Sequence, residues 1–290
     1  MPAANSPLRY PGGKAALADL LAEIVEINAL RDCVYVEPYA GGAGAAFGLL
    51  FAEHVRRVVL NDADPCVYAF WEAILNRTKA FIKRVKDTPV TIEEWKRQRK
   101  IYRQHGRYSL IKVAFATFYL NRCNHSGIML NGGPIGGLEQ KGKWKVDARY
   151  NKEALIDRID KISLYRDRIA VHNMDAIKFL RQVVEKSDAP EETLVYLDPP
   201  YFVKGSELYL NHYQYKDHVL LARYIQDQTS FKWVMTYDDV PEIHELYSDK
   251  QSMQFSLRYC ARTKRAGREL LIWADDVLVP ATLTSANPAE

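Results

Sequence analysis

No apolar run in the 290 residues approaches the ~18 that a membrane-spanning helix requires. The opening Met1-Pro2-Ala3-Ala4-Asn5-Ser6 has neither the charged nor the apolar region of a secretory signal. Cysteine is scarce: Cys33, Cys66, Cys123 and Cys260 are scattered, without a Cys-x-x-Cys pair. That argues against a structural zinc site and against a disulfide framework. A cytoplasmic protein with no membrane partner is expected. Internal repeats and low-complexity segments are lacking too. His125 and His212 have no neighbour at ligand spacing, so no metal is expected. What is present, 48% hydrophobic and 26% charged residues, suits a globular chain of one large domain or two smaller ones.

The net charge of +4 is mild, but its distribution is uneven. Residues 77–168 carry 22 Lys/Arg against 9 Asp/Glu, a balance of +13; the remainder has 18 against 27, a balance of −9. A charge reversal confined to one segment points to a polyanion-binding insert, because Lys/Arg neutralisation of phosphates drives nucleic-acid affinity. Solvated helix faces would give a similar count.

Seven strand-like runs, at 34–40, 57–61, 169–172, 193–197, 232–237, 253–260 and 269–274, alternate with helical patterns at 14–30, 44–54, 65–75, 175–184 and 217–227. The alternation predicts an α/β fold, a mostly parallel sheet with helices on both faces. The last two runs read as an antiparallel hairpin at the sheet edge. Between about 76 and 168 the pattern changes. Thr91-Ile92-Glu93-Glu94 fits a capping box opening a helix to about 104, residues 109–122 form another, and Asn151 caps a third. Six glycines within 125–145 suit a loop or hairpin. The expected division is a discontinuous sheet domain, 1–75 and 169–280, a mainly helical insert with a hairpin, 76–168, and a frayed tail, 281–290.

Asp198-Pro199-Pro200-Tyr201 follows the apolar run Leu194-Val195-Tyr196-Leu197. A carboxylate, carbonyls held by rigid prolines, and an aromatic at a strand end suit a flat, amino-bearing ring. The first strand ends in Glu37-Pro38-Tyr39-Ala40-Gly41-Gly42-Ala43-Gly44, where glycines admit close backbone approach by a ligand. This is not a clean Gly-x-Gly-x-x-Gly, so a nicotinamide oxidoreductase fits poorly. Asn61-Asp62 ends the second strand, where an acid binds ribose hydroxyls in α/β nucleotide sites. Together these predict an adenosine-type cofactor. Arg9-Tyr10-Pro11-Gly12-Gly13-Lys14 is either a turn opening the first helix or a loop folding over that cofactor.

Tyr-Pro-Gly-Gly-Lys, Glu-Pro-Tyr-Ala-Gly-Gly-Ala-Gly, Asn-Asp and Asp-Pro-Pro-Tyr, in this order and spread from about Ser6 to Trp273, resemble the Dam-type (α class, D12 class) DNA adenine-N6 methyltransferases. Phe118-Tyr119-Leu120-Asn121-Arg122 with Ser126-Gly127 resembles the family's approach to its recognition hairpin. The resemblance implies a Rossmann-like seven-stranded methyltransferase sheet and S-adenosylmethionine as donor, with S-adenosylhomocysteine as product. It implies cofactor contacts from Tyr10, Lys14, Glu37, Pro38, Gly41, Gly42, Gly44, Asp62 and Asp198. Asp198, Pro199, Pro200 and Tyr201 would hold the target adenine. Asn173-Met174-Asp175 departs from the family's Gly-Asp-Phe-like segment, leaving Asp175 as an acid near the cofactor's adenine without its usual neighbours.

The implied reaction is methylation of N6 on an adenine flipped out of double-stranded DNA. For DNA contact the residues chosen by type are Asn121, Arg122, Asn124, Ser126, Asn131, Lys141 and Lys143 in the insert, and Arg258, Arg262, Lys264, Arg265 and Arg268 near the last strands. A phosphate contact or a capping role competes at each of them. Trp71, Trp95, Trp144, Trp233 and Trp273 are expected to be core or interdomain packing. Cytosine-N4, RNA adenine or protein glutamine methylation, and a silent sequence-specific DNA-binding protein, are the alternatives. A monomer or weak dimer of bacterial or phage origin, with a restriction or defence partner, is compatible with all of this.

Overall fold

The computed structural model describes residues 5–9, 17–202, 213–256 and 268–280. They form a seven-stranded sheet in the order β3-β2-β1-β4-β5-β7-β6. Its strands are β1 (Val34–Glu37), β2 (Arg57–Asn61), β3 (Ile169–His172), β4 (Thr193–Leu197), β5 (Lys232–Asp238), β6 (Gln251–Ser256) and β7 (Arg268–Trp273). β4 is buried along its whole length, as a central strand covered on both faces must be. β3, β2, β1, β4 and β5 run parallel. β7 is antiparallel to both β5 and β6, which puts the expected hairpin at the edge.

Helix α1 (Ala18–Ile27) precedes β1, α2 (Gly44–Phe51) follows β1 and α3 (Pro65–Asn76) follows β2. Asp64 caps α3, its Oδ1 accepting from the Cys66 amide at 2.7 Å, with proline at the first helical position. After α3 the chain passes through Arg77 alone into α4 (Thr78–Asp87), a helix that the sequence reading left unassigned. Then come α5 (Ile92–Arg103), α6 (Leu110–Cys123) and α7 (Lys152–Leu164). Thr91 caps α5 as expected. The other half of the capping box is not used: Glu94 is buried and bonds to Gln98 instead.

α6 is apolar nearly all round, so it lies in the middle of the helical layer. Phe118 on α6 stacks on Phe70 of α3, with ring centroids 5.9 Å apart, and meets Phe81 of α4 edge-on at 5.5 Å. One core therefore runs from the sheet into residues 76–168, and their first boundary falls between consecutive helices instead of in a linker.

Beyond β3, α8 (Ala176–Phe179) continues into a π-helical turn, Leu180–Val184. α9 (Tyr215–Gln226) leads to β5, and the unforeseen α10 (Pro241–Leu246) leads to β6.

The glycine-rich segment departs from a hairpin. In place of a ladder it has one isolated antiparallel bridge, Asn124 with Pro134. Positive φ at Gly136, Gly137 and Gln140 breaks any extended run. A Cβ on Gly136 would sit 2.5 Å from the Trp144 carbonyl oxygen.

Candidate active site

The strand order reverses between β1 and β4: the chain leaves β1 for β2 and β3 on one side and crosses to β4 on the other. Ligands of open α/β sheets bind at that point, outside the carboxyl ends of the strands. Asn61, buried at the end of β2, fastens three strand ends there. Its Nδ2 donates to the Pro38 carbonyl and to the Met174 carbonyl, both at 3.0 Å, and its Oδ1 accepts the Met174 amide at 3.0 Å. Every polar atom of this buried amide that can bond is engaged.

Asp62, half-buried, comes next. Its Oδ2 accepts from the Gly41 amide and its Oδ1 from the Asp64 amide, each at 2.9 Å. Gly41 has φ +45° and its carbonyl accepts from Trp71 Nε1 at 3.0 Å, so the loop after β1 is held against Asp62 from both sides. Burial and the neighbouring Asp64 raise the Asp62 carboxyl to about 7. Glu37 is fully enclosed at the end of β1. Its Oε1 accepts from the Tyr35 hydroxyl and the Ala46 amide, both at 3.1 Å. Burial nonetheless raises it to about 8, so it is mainly protonated at neutral pH. Asp175 is exposed and caps α8 through the Lys178 amide at 3.0 Å.

On the other side of the switch point, Asp198 follows β4. Its Oδ1 accepts from Thr236 Oγ1 at 3.1 Å, and that hydroxyl lies 2.7 Å from the Tyr196 hydroxyl. Three residues on, the Tyr201 hydroxyl donates to Glu269 Oε1 at 2.5 Å. Glu269 is a buried acid directly before the apolar run Leu270–Trp273 of β7. The Phe202 amide donates to Asp238 Oδ1 at 2.9 Å, and the Phe202 ring packs on His218 at 5.1 Å. Tyr213 resumes the described chain on this side, its hydroxyl 2.7 Å from that of Tyr39. The arrangement offers two carboxylates and a fixed aromatic at one end of the sheet, beside a loop whose backbone is open to a ligand.

A model of the family described as D12 class N6 adenine-specific DNA methyltransferase matches residues 10–260. The chain belongs to that family. A type II methyltransferase, M.MjaIII of Methanocaldococcus jannaschii, is 22% identical over 209 residues, covering 67% of this chain and 68% of that protein. Two structures of the rRNA methyltransferase aviRa from Streptomyces viridochromogenes are similar at 17% and 16% identity. Their TM-scores are 0.40 and 0.37, each covering 96% of this chain and 90% of theirs. Membership gives this methyltransferase DNA as substrate and implies S-adenosylmethionine as donor. Among its described residues no helix is long and apolar enough to cross a membrane.

The D12 methyltransferase disposes its insert residues differently from the reading by residue type. Asn121 is buried and clamps the N-terminal segment, accepting the Arg9 amide and donating to the Arg9 carbonyl, both at 2.7 Å. Asn124 is buried as well, accepting from Trp95 Nε1 at 2.7 Å and donating to the Ile128 carbonyl at 2.6 Å. Both amides are taken up by the protein, so neither presents an edge to a base. Arg122 donates from Nε and Nη2 to the Arg149 carbonyl at 2.8 and 2.6 Å. Burial, with Arg9 and Arg158 nearby, lowers its guanidinium to about 9. Ser126 (φ +54°), Asn131, Lys141 and Lys143 are exposed. Trp71, Trp95, Trp233 and Trp273 are core residues as expected, but Trp144 is 56% exposed. Tyr10, Lys14, Arg258, Arg262, Lys264 and Arg265 lie outside the described residues, and Arg268 begins β7.

Sequence reasoning missed Asn61 as a fastener, Thr236 and Glu269. Glu269 had a readable signal: a single acid in the run Glu269-Leu270-Leu271-Ile272-Trp273 must find a buried partner.

Proposed function

We propose that Asp198 and the Pro199 carbonyl hold the amino group of a flipped-out adenine while its N6 takes the methyl group. The observation that carries this is the bond from Thr236 to Asp198 at the C-terminal end of β4, across the switch point from Gly41 and Asp62. The exocyclic nitrogen is a poor nucleophile because its lone pair is delocalised into the ring. Two acceptors on its two hydrogens favour a pyramidal nitrogen with the lone pair directed at the incoming carbon. Asp198 acts by position and by stabilising the positive charge that develops. Pro200 keeps the turn rigid, and Tyr201, its hydroxyl anchored on Glu269, offers a ring face to the base.

S-adenosylmethionine, when bound, supplies an electrophilic methyl on a sulfonium leaving group, so the transfer itself needs no metal. The residues fit this donor. Asp62, with lone pairs left beyond its two amide bonds, suits ribose hydroxyls, and the Gly41–Gly44 turn suits close approach. Glu37 and Pro38 form the enclosed floor, and Tyr10 and Lys14 complete the cofactor set in this reading. Asp175 remains a candidate only for the exposed rim.

In the same reading residues 1–75 and 169–280 form the catalytic part and 76–168 the recognition insert, with 281–290 a tail. Arg122, Ser126, Asn131, Lys141, Lys143, Arg262, Lys264 and Arg265 contact DNA. The methyltransferase works in the cytoplasm as a monomer or weak dimer, and the type II relative supports a restriction partner. Incubation with plasmid and donor, followed by single-molecule sequencing, tests the function. N6-methyladenine at one motif is the expected result. N4-methylcytosine, or methyl transfer to RNA alone, would overturn it.

A further inference from the structure

The turn that carries Asp198 is gripped from two sides. On one side β5 and β7 run antiparallel with Asp238 opposite Glu269. These two acids take consecutive residues of the turn, Glu269 accepting the Tyr201 hydroxyl and Asp238 the Phe202 amide. On the other side stands His218. It belongs to the buried stripe of α9, with Leu221, Ala222 and Ile225, where an apolar side chain would bring no polar atoms to satisfy. The imidazole meets that cost with a bond: Nδ1 lies 2.7 Å from the Tyr237 hydroxyl at the end of β5. Burial lowers its pKa, although Asp238 and Asp217 pull the other way, so the ring is neutral at neutral pH. Three rings from three parts of the chain pack on it. Phe202 lies with its centre 5.1 Å away, Tyr213 edge-on at 5.3 Å and Tyr237 at 5.7 Å.

Tyr213 carries the connection onward. A capping box between Gln214 and Asp217 fixes the chain directly after it, with the Gln214 amide donating to Asp217 Oδ2 at 2.8 Å. The Tyr213 hydroxyl lies 2.7 Å from that of Tyr39, and the two rings meet edge-on with centres 6.0 Å apart. Tyr39 stands two residues before Gly41, in the loop after β1 that Asp62 holds. Ring and hydroxyl contacts thus run without a break from Phe202 through His218 and Tyr213 to Tyr39. They join the end of the Asp198 turn to the loop after β1, across the switch point.

We propose that His218 is a positioning residue for methyl transfer, holding the turn that carries Asp198 in register with the loop after β1. The assignment rests on Asp198 serving the target base and the Gly41 loop serving the donor. Transfer between two bound molecules depends steeply on their separation: a displacement of about 1 Å can cost about 100-fold in rate. Packed rings between the two loops resist such a displacement, because a close-packed contact has no slack to take up.

The test uses the whole protein with plasmid DNA and tritiated S-adenosylmethionine, and reads the single-turnover rate with both saturating. His218→Ala is expected to slow transfer about 100-fold. The half-saturating concentrations of DNA and donor should stay within about threefold of wild type, because positioning acts on the step and not on binding. His218→Phe keeps the ring and loses the bond to Tyr237, and should recover the rate to within about tenfold of wild type. Tyr39→Phe deletes one oxygen at the far end and should slow transfer about fivefold. Because both act through one set of contacts, His218→Ala with Tyr39→Phe should be slowed about 100-fold and not by the product of about 500-fold. Tyr39→Phe keeps its ring, so it tests the connection even where His218→Ala does not fold.

A wild-type rate in folded His218→Ala or in Tyr39→Phe would overturn the positioning role. So would effects that multiply in the double variant, a change confined to the half-saturating concentrations, or a His218→Phe no faster than His218→Ala. Any of these with a wild type that makes N6-methyladenine leaves the reading of Asp198 standing. A wild type that makes none overturns that reading and the role of His218 with it, and this outcome shows before any variant is made.

Discussion

The carboxyl ends of β1, β2 and β4 and the helical insert pose the same problem of placing polar side chains, and solve it in opposite ways. At the sheet, Asp62 and Asp198 stand just beyond strand termini, where the backbone path alone brings them to one edge. In the insert, Asn121 and Asn124 stand at the end of a helix that is apolar on nearly every side, and both are drawn inside to fasten neighbouring chain. Residue type thus predicts placement where topology fixes exposure. It misleads where a helix has no polar face to place the residue on.

Four variants sharpen this contrast. Asp198→Ala should have the largest effect, a loss of methyl transfer of about 1,000-fold, the upper range for removing one preorganised electrostatic group. Its melting temperature should stay close to that of wild type. Tritiated-methyl incorporation measures the first and calorimetry the second; substantial activity would end the assignment. Asn121→Ala should do the reverse. It leaves the Arg9 amide and carbonyl and the Gly127 carbonyl without their partner, a loss of about 2–3 kcal/mol in urea unfolding. A variant of unchanged stability would return Asn121 to the list of DNA-reading residues.

Thr236→Val tests the support behind Asp198 and should lower kcat by about tenfold, the worth of roughly one hydrogen bond to a charged group. If KM for DNA rises and kcat holds, Thr236 serves binding instead.

The smallest effect concerns pH. Glu37, at about 8 in the fold against 4.5 as a free side chain, binds more protons folded than unfolded. Stability should therefore fall as pH rises from about 4.5 and level off above about 8. Asp62, raised to about 7, contributes in the same direction. Glu37→Gln keeps an acceptor for Tyr35 and Ala46 and should make the decline shallower without removing it. Melting curves between pH 5 and pH 9, on the order of one curve per unit, measure the difference; an unchanged slope would show that Glu37 is ionised throughout.

The parallel strands were legible because short apolar runs closed by Glu37, Asn61 and Asp198 leave few other places for the chain to turn. The glycine-rich segment was legible only as irregular. Its form depends on Gln140 bonding three backbone groups five or six residues away at most, and an amide side chain carries no periodic signal. Glu269 and Tyr201 meet across 68 positions of sequence, a pairing that appears only once β7 has added itself beside β5.

Asn61 carries a further implication, for chain length. Because one side chain ties the turn after β1 to the turn after β3, a residue gained or lost in either turn unfastens the other. A one-residue insertion in either turn should therefore lower stability, as a melting curve would show. The Gln140 loop, which the amide does not reach and which bonds chiefly to itself, can by contrast change without moving the strands.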